Sequence, residues 1–97
     1  MAEIRWTAEA VRWLEDIHTY IAQDSPSAAQ RVVTSIYEKA QILAEFPEIG
    51  YVHGRSGEGV IRILLYGHYR VAYYFNQNSV IILGIFHGSL DITRYNL

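Results

Sequence analysis

The residues of this chain best suited to chemistry are two arginines set inside apolar runs and a histidine that closes a third run. Arg62 stands within Val60-Ile61-Arg62-Ile63-Leu64-Leu65-Tyr66, Arg70 within Tyr69-Arg70-Val71-Ala72-Tyr73-Tyr74-Phe75, and His87 follows Val80-Ile81-Ile82-Leu83-Gly84-Ile85-Phe86. A fixed guanidinium can hold a phosphate or stabilise charge that builds on one. Imidazole titrates near neutral pH and can serve as a general acid or base. Cleaving a phosphodiester without a metal needs a base at the attacking oxygen, an acid at the leaving oxygen and a cation at the phosphate. Arg62, Arg70 and His87, with Arg94 or Tyr95 from the C-terminal tail, would supply such a set. If no such reaction occurs, Arg70, His87, Arg94 and Tyr95 become expected contacts to a macromolecular target.

Each residue also has a plainer reading. Arg70 could pair with a carboxylate or with carbonyl groups across the sheet. Arg62 alternates with Ile61 and Ile63, so it faces away from them. It is expected to join Arg70 on an open sheet face, where solvation alone would account for it. His87 could simply cap its strand. His18, His53 and His68 lack the spacing of a metal site. The glycine-rich stretch 54–59 has no Gly-Lys-Ser/Thr ending, so it is not a phosphate-cradling loop. Tyrosines could stack on bases, but Tyr66, Tyr69, Tyr73 and Tyr74 fall in strands, where tyrosine is favoured anyway. Nothing calls for a metal or organic cofactor.

The elements that must position these residues are legible from pattern. Glu3–Trp6 is a short strand candidate. Thr7 suits an N-cap, and Ala10, Trp13, Leu14, Ile17, Tyr20 and Ile21 then repeat at helical spacing to a stop near Gln23-Asp24. Ser25-Pro26 starts a second helix, with serine as cap and proline in the first turn. Its stripe runs through Ala29, Val32, Val33, Ile36, Tyr37, Ala40, Leu43 and Ala44 until Phe46-Pro47 ends it. The short link forces an antiparallel helical hairpin. Residues 47–59 are expected to be a loop. Gly67-His68 and Asn76-Gln77-Asn78-Ser79 join the three apolar runs as hairpin turns, so these strands form an antiparallel meander. Run 80–86 is apolar nearly throughout, so it is expected to be central and covered on both faces. The fold class predicted is α+β, in the order β-α-α-β-β-β, with the helical hairpin packed on an antiparallel sheet.

Composition narrows the function classes. The 97 residues suit one domain, and 51% hydrophobic with 19% charged is a globular balance. The chain has no cysteine, which excludes disulfides and thiolate metal sites and fits a reducing, cytoplasmic setting. Its apolar runs are far shorter than the roughly 20 residues that span a bilayer, so no membrane partner is expected. The N-terminus does not read as a signal peptide. Net charge is −2, with Lys39 as the only lysine. Residues 1–54 hold four basic side chains against eight acidic ones, whereas residues 55–97 hold Arg55, Arg62, Arg70 and Arg94 against Glu58 and Asp91. Affinity for an anionic partner therefore belongs to the C-terminal half.

In this order and with these residues, the chain resembles the RelE/ParE toxins of bacterial toxin–antitoxin systems. The resemblance runs from Ile4 to about Asp91 and rests on several pieces. Trp6-Thr7-Ala8-Glu9-Ala10 opens the first helix, and Leu14-Glu15-Asp16-Ile17-His18-Thr19-Tyr20-Ile21 continues it. Ser25-Pro26-Ser27-Ala28-Ala29 opens the second helix, and Leu43-Ala44-Glu45-Phe46-Pro47-Glu48-Ile49-Gly50 closes it. Tyr69-Arg70-Val71-Ala72-Tyr73 and Ile85-Phe86-His87-Gly88 complete the match.

The resemblance implies a small cytosolic poison held inactive by a cognate antitoxin, a protein expected to fold on binding. It also implies one of two targets. RelE-like members enter the ribosome and cut mRNA. ParE-like members inhibit DNA gyrase and cut no RNA. The uninterrupted helical hairpin and the Phe-Pro-Glu-Ile-Gly exit look more like the ParE branch. RNA-cutting relatives are strongly basic, and this chain is not. A ribosome-entering nuclease of this composition would approach a dense phosphate surface with little electrostatic steering. The resemblance therefore implies a gyrase inhibitor, with the ribosome-dependent endonuclease as the alternative.

Overall fold

A computed structural model describes residues 1–87 of the chain. Arg94 and Tyr95 lie outside the described residues. The elements are β1 (Glu3–Trp6), α1 (Ala8–Ala22), α2 (Pro26–Gln41), β2 (Tyr51–Ser56), β3 (Gly59–Tyr66), β4 (Tyr69–Asn76) and β5 (Ser79–His87), with a single 3₁₀ turn (Ile42–Ala44) after α2. Both helix starts follow from local chemistry. The Thr7 hydroxyl accepts from the Ala10 N–H at 3.0 Å, and the Ser25 hydroxyl accepts from the Ala28 N–H at 3.2 Å. Each bond satisfies a backbone donor that a helix start leaves unpaired. Thr7 also donates its hydroxyl proton to the Ile82 carbonyl at 3.1 Å, so the cap of α1 doubles as a tie to β5.

The five strands form one sheet in the order β1-β5-β4-β3-β2. β2 to β5 are antiparallel, joined by hairpins whose turns use left-handed backbone at Gly57, Gly67 and Gln77. The sheet is mixed rather than antiparallel throughout, because β1 runs parallel to β5, with Ile4 in register with Val80. Those strands are far apart in sequence, so no tight turn dictates their relative direction. The middle strand is β4. β5 is interior, between β1 and β4. Part of the segment expected to be a loop is also a strand. β2 pairs with β3 at the sheet edge, carries a bulge between Val52 and Gly54, and leaves Tyr51 and Val52 about half exposed. A half-solvated edge strand with internal glycine has neither apolar alternation nor a continuous apolar run to reveal it.

The main core lies between the helical hairpin and one face of the sheet, and a smaller buried cluster of Ile63, Ala72 and Phe86 lies on the other. Ala10, Ile36, Ala40 and Leu43 from the helical side meet Leu64, Val71, Tyr73, Val80, Ile82 and Ile85 from the strands. The bulge on β5 explains how Ile82 and Ile85, three positions apart, reach the same face. Tyr73 is in register with Ile82 and Ala72 with Gly84, so Leu83 is the extra residue. Beyond Trp6 the β5 edge has no strand beside it among the described residues. There Trp13 of α1 packs edge-on against Phe86, with ring centroids 4.9 Å apart.

A buried tyrosine and an arginine fasten the chain where it passes from the helices into the sheet. Tyr73 has no exposed surface. Its hydroxyl donates to the Pro47 carbonyl at 2.7 Å and accepts from the Gly50 N–H at 3.0 Å. Arg62, in register with Tyr73, donates through Nη1 to the carbonyls of Glu48 at 3.0 Å and Gly50 at 2.7 Å. Gly50 must be glycine, because a Cβ there would lie 2.8 Å from both the Ile63 carbonyl oxygen and the Tyr73 ring. The carboxylate of Glu48 lies 3.8 Å from Arg62 but is largely exposed, so this ion pair contributes little. The backbone bonds hold the segment.

Two stability outcomes follow. Ile82→Ala should cost about 2–5 kcal/mol, measured by urea unfolding, because a fully buried side chain leaves a cavity between sheet and helices. Tyr73→Phe should cost about 1–3 kcal/mol by stranding the Gly50 N–H and the Pro47 carbonyl. Burial pushes the Tyr73 phenol above its ordinary 10.0, while the Gly50 hydrogen bond and Arg62 pull the other way. The folded state therefore keeps its proton where the unfolded state releases it. The hydroxyl's contribution should fall as pH rises above 10.0. Melting curves of the parent and Tyr73→Phe across that range should converge.

Candidate functional site

Strand pairing assigns each predicted residue to a sheet face, since cross-strand partners share a face and neighbours alternate. Arg62 pairs with Tyr73, whose ring lies in the core against the helical hairpin. Arg70 pairs with Leu65 on one side and Phe86 on the other. Arg62 and Leu65 are three positions apart on a regular strand, so Arg62 and Arg70 are on opposite faces. The expectation that both arginines share the open face is therefore corrected. Arg62 is drawn to the helical side because the Glu48 and Gly50 carbonyls offer its guanidinium acceptors there. Its side chain retains 16% of its exposure, and its Nε is buried without a partner.

His87 pairs with Tyr69, which alternates with Val71 and Tyr73, and so shares the Arg62 face rather than the Arg70 face. Along that face it stands four residues from the Tyr73 row, about 13 Å by the rise of a strand. The exposed His87 ring stacks with that of His68, centroids 6.1 Å apart and 12° between planes. The ring of Tyr69 meets it at a steep angle, 5.9 Å away. Arg62, Arg70 and His87 thus do not converge on one reacting centre. Arg94 and Tyr95, the remaining predicted contacts, fall in the segment outside the described residues.

Arg70 is half-buried, and among the described residues no carboxylate or carbonyl lies within ion-pair or hydrogen-bond reach of its side chain. The plainer expectation for it, a cross-sheet pair, is not met among those residues. Its in-register neighbour Leu65 is 58% exposed, and Tyr51, in register with Ile63, is a half-exposed aromatic on the same face. A half-buried cation between the buried Phe86 and the exposed Leu65 stands at the rim of an apolar patch, a setting that suits a contact surface.

On the other side, α1 and β5 enclose an open cleft of about 450 Å³. Trp13, Ile17 and Ile85 supply its apolar lining, Tyr69 and His87 one rim, and Asp16 and the exposed Tyr20 the other. No cluster of histidine and carboxylate side chains among the described residues is arranged to hold a metal. Sequence reasoning missed the fastening role of Tyr73, because a tyrosine in a strand already fits the β preference and its hydroxyl partners are 23 and 26 residues away.

Comparison with known proteins agrees with this architecture. Residues 4–92 match the family model described as the ParE toxin of the type II toxin–antitoxin system parDE. A curated relative from Caulobacter vibrioides, Toxin RelE2, is 36% identical over 90 residues, covering 92% of this chain and 98% of its own. A putative toxin from Sinorhizobium fredii, Y4kP, is 49% identical over 47 residues, about half of each chain. Among solved structures, a chain of the chromosomal ParDE system from P. aeruginosa superposes with a TM-score of 0.70 at 22% identity, over 90% of this chain and 96% of that one. A chain of the RelBE2 toxin–antitoxin complex from Mycobacterium tuberculosis gives 0.64 at 23%, over 89% and 96%. At those identities the structural matches speak for the fold, while the family match and the RelE2 relative speak for descent. The chain belongs to the RelE/ParE family of toxins of type II toxin–antitoxin systems.

Proposed function

We propose that this toxin acts as a ParE-like inhibitor of DNA gyrase, by protein contact rather than by catalysis, and that a cognate antitoxin neutralises it in the cytoplasm. The observation that carries the reading is the separation of the arginines. Metal-independent RNA cleavage needs its acid, base and phosphate cation around one phosphodiester, within hydrogen-bond reach of the atoms they serve. Arg62 is committed to backbone carbonyls on the helical face, and Arg70 faces the other way. The acidic balance of the chain supports the same reading, since steering toward RNA needs positive surface.

In this reading the target-contact surface is the sheet face that carries Arg70, with Leu65 beside it, and His87, on the opposite face, lies outside it. The antitoxin rests on the kinship with systems that pair a toxin with one. The apolar cleft between α1 and β5, with the Asp16 carboxylate at its rim, suits an amphipathic partner segment.

The second reading is a RelE-like mRNA endonuclease acting on the ribosome, favoured by Arg70, whose charge the described residues leave without a partner. Two measurements separate the readings. Purified chain should inhibit gyrase supercoiling in vitro, and pulse-labelling after controlled expression should show DNA synthesis falling before protein synthesis. Unaffected supercoiling at toxin excess, with cut mRNA in cells, would overturn the gyrase reading. Arg70→Ala should weaken inhibition by roughly thirtyfold, the equivalent of about 2 kcal/mol for one charged contact. Its stability should stay within about 0.5 kcal/mol of the parent.

A further inference from the structure

The strip from Ile42 to Val52 exposes more large apolar side chains than any other stretch of similar length among the described residues. Ile42, Phe46, Ile49, Tyr51 and Val52 retain 37%, 56%, 53%, 45% and 50% of their exposure. A strip like this on a mobile loop would mean little. Here its middle, Pro47–Gly50, is fastened by the Tyr73 and Arg62 hydrogen bonds, so the side chains are presented already ordered and binding need not order them. The strip leads directly into β2, an edge strand whose outer backbone groups have no strand beside them among the described residues. From Ile49 to Gly54 the edge carries neither charge nor proline, the usual guards against strand pairing.

The charges lie at the two ends and have opposite sign. Glu48 precedes the uncharged stretch and is 74% exposed, and Arg55 follows it, exposed. When a strand pairs antiparallel with its own copy, its beginning lies against the other's end. Glu48 of one copy then approaches Arg55 of the other, twice per pair. Such pairing about a two-fold axis closes on itself. The bulge at Val52–Gly54 keeps the ladder short, with its centre near Tyr51.

We propose that β2 is a self-association edge, through which two copies of this chain join their sheets antiparallel near Tyr51, with Glu48 and Arg55 setting the register. The proposal is independent of the cellular target.

Sedimentation of the purified full-length chain tests it. The expected result is concentration-dependent conversion of an 11.1 kDa species to one of twice that mass. Glu48→Lys and Arg55→Glu should each weaken association by about tenfold, the scale of one well-placed cross-strand charge contact repeated twice. Both variants should fold, since the fastening of the loop uses the Glu48 backbone carbonyl and the Arg55 side chain makes no hydrogen bond or ion pair among the described residues. Thermal melts check this. An equimolar mixture of the two variants should regain the association that each lost, because both end contacts of the mixed pair then set a cation of the first variant against a carboxylate of the second. Val52→Pro should abolish association by removing an edge N–H. A chain that stays monomeric at millimolar concentration overturns the proposal. So does a mixture no stronger than its components, which would assign the strip to a different partner such as the antitoxin.

Discussion

Arg62 and Tyr73 stand side by side on β3 and β4, and their polar ends reach the same short segment, Pro47–Gly50. That segment is where the helical layer hands the chain to the sheet. Its carbonyls and N–H would otherwise face a buried tyrosine ring and the edge of the core without partners, at a cost comparable to several lost hydrogen bonds. With partners supplied, the chain enters β2 at a set angle and position, β2 pairs with β3, and the meander returns to place β5 beside β1. Most of the sheet's geometry descends from this junction.

The same junction decides the electrostatics. An arginine among apolar strand residues has to be satisfied somewhere. Arg62 finds its acceptors on the helical side, which leaves Arg70 as the strand arginine of the opposite face. The two faces therefore differ in character. One is closed by helices and contains a structural cation. The other presents a cation without a described partner beside exposed leucine and tyrosine. A surface of that kind is suited to recognition through charge attraction and apolar contact.

Family membership sits easily with this arrangement. Toxins of this class are small, and a 97-residue chain has little material beyond what its core requires. The surfaces the fold leaves over for recognition are the patch around Arg70 and Leu65, the cleft between α1 and β5, and the apolar strip along β2. Each surface borders an element held firmly by the core, which keeps exposed apolar groups presented without loose loops.

Much of this was legible in the residues themselves. Both helices and their caps, the three-strand meander and the α+β class follow from local rules. These are hydroxyl caps, proline in a first turn, apolar spacing, and hairpin links of two residues. Such signals act within a few positions along the chain. The parallel direction of β1, the strand hidden in the glycine-rich stretch and the extra residue at Leu83 act over dozens of positions and leave no local pattern. For the candidate site the division is sharper. Alternation showed that Arg62 faces away from Ile61 and Ile63, but it could not tell which face the helices cover. That depends on how Val71, Tyr73, Ile82 and Ile85 pack against the hairpin, and on carbonyls fourteen and twelve residues before Arg62. Local residue patterns set which elements form and where charge is carried. Which charges share a face emerges on folding, because a side chain's neighbours across a sheet are set by register and layer packing, which no single stretch of chain contains.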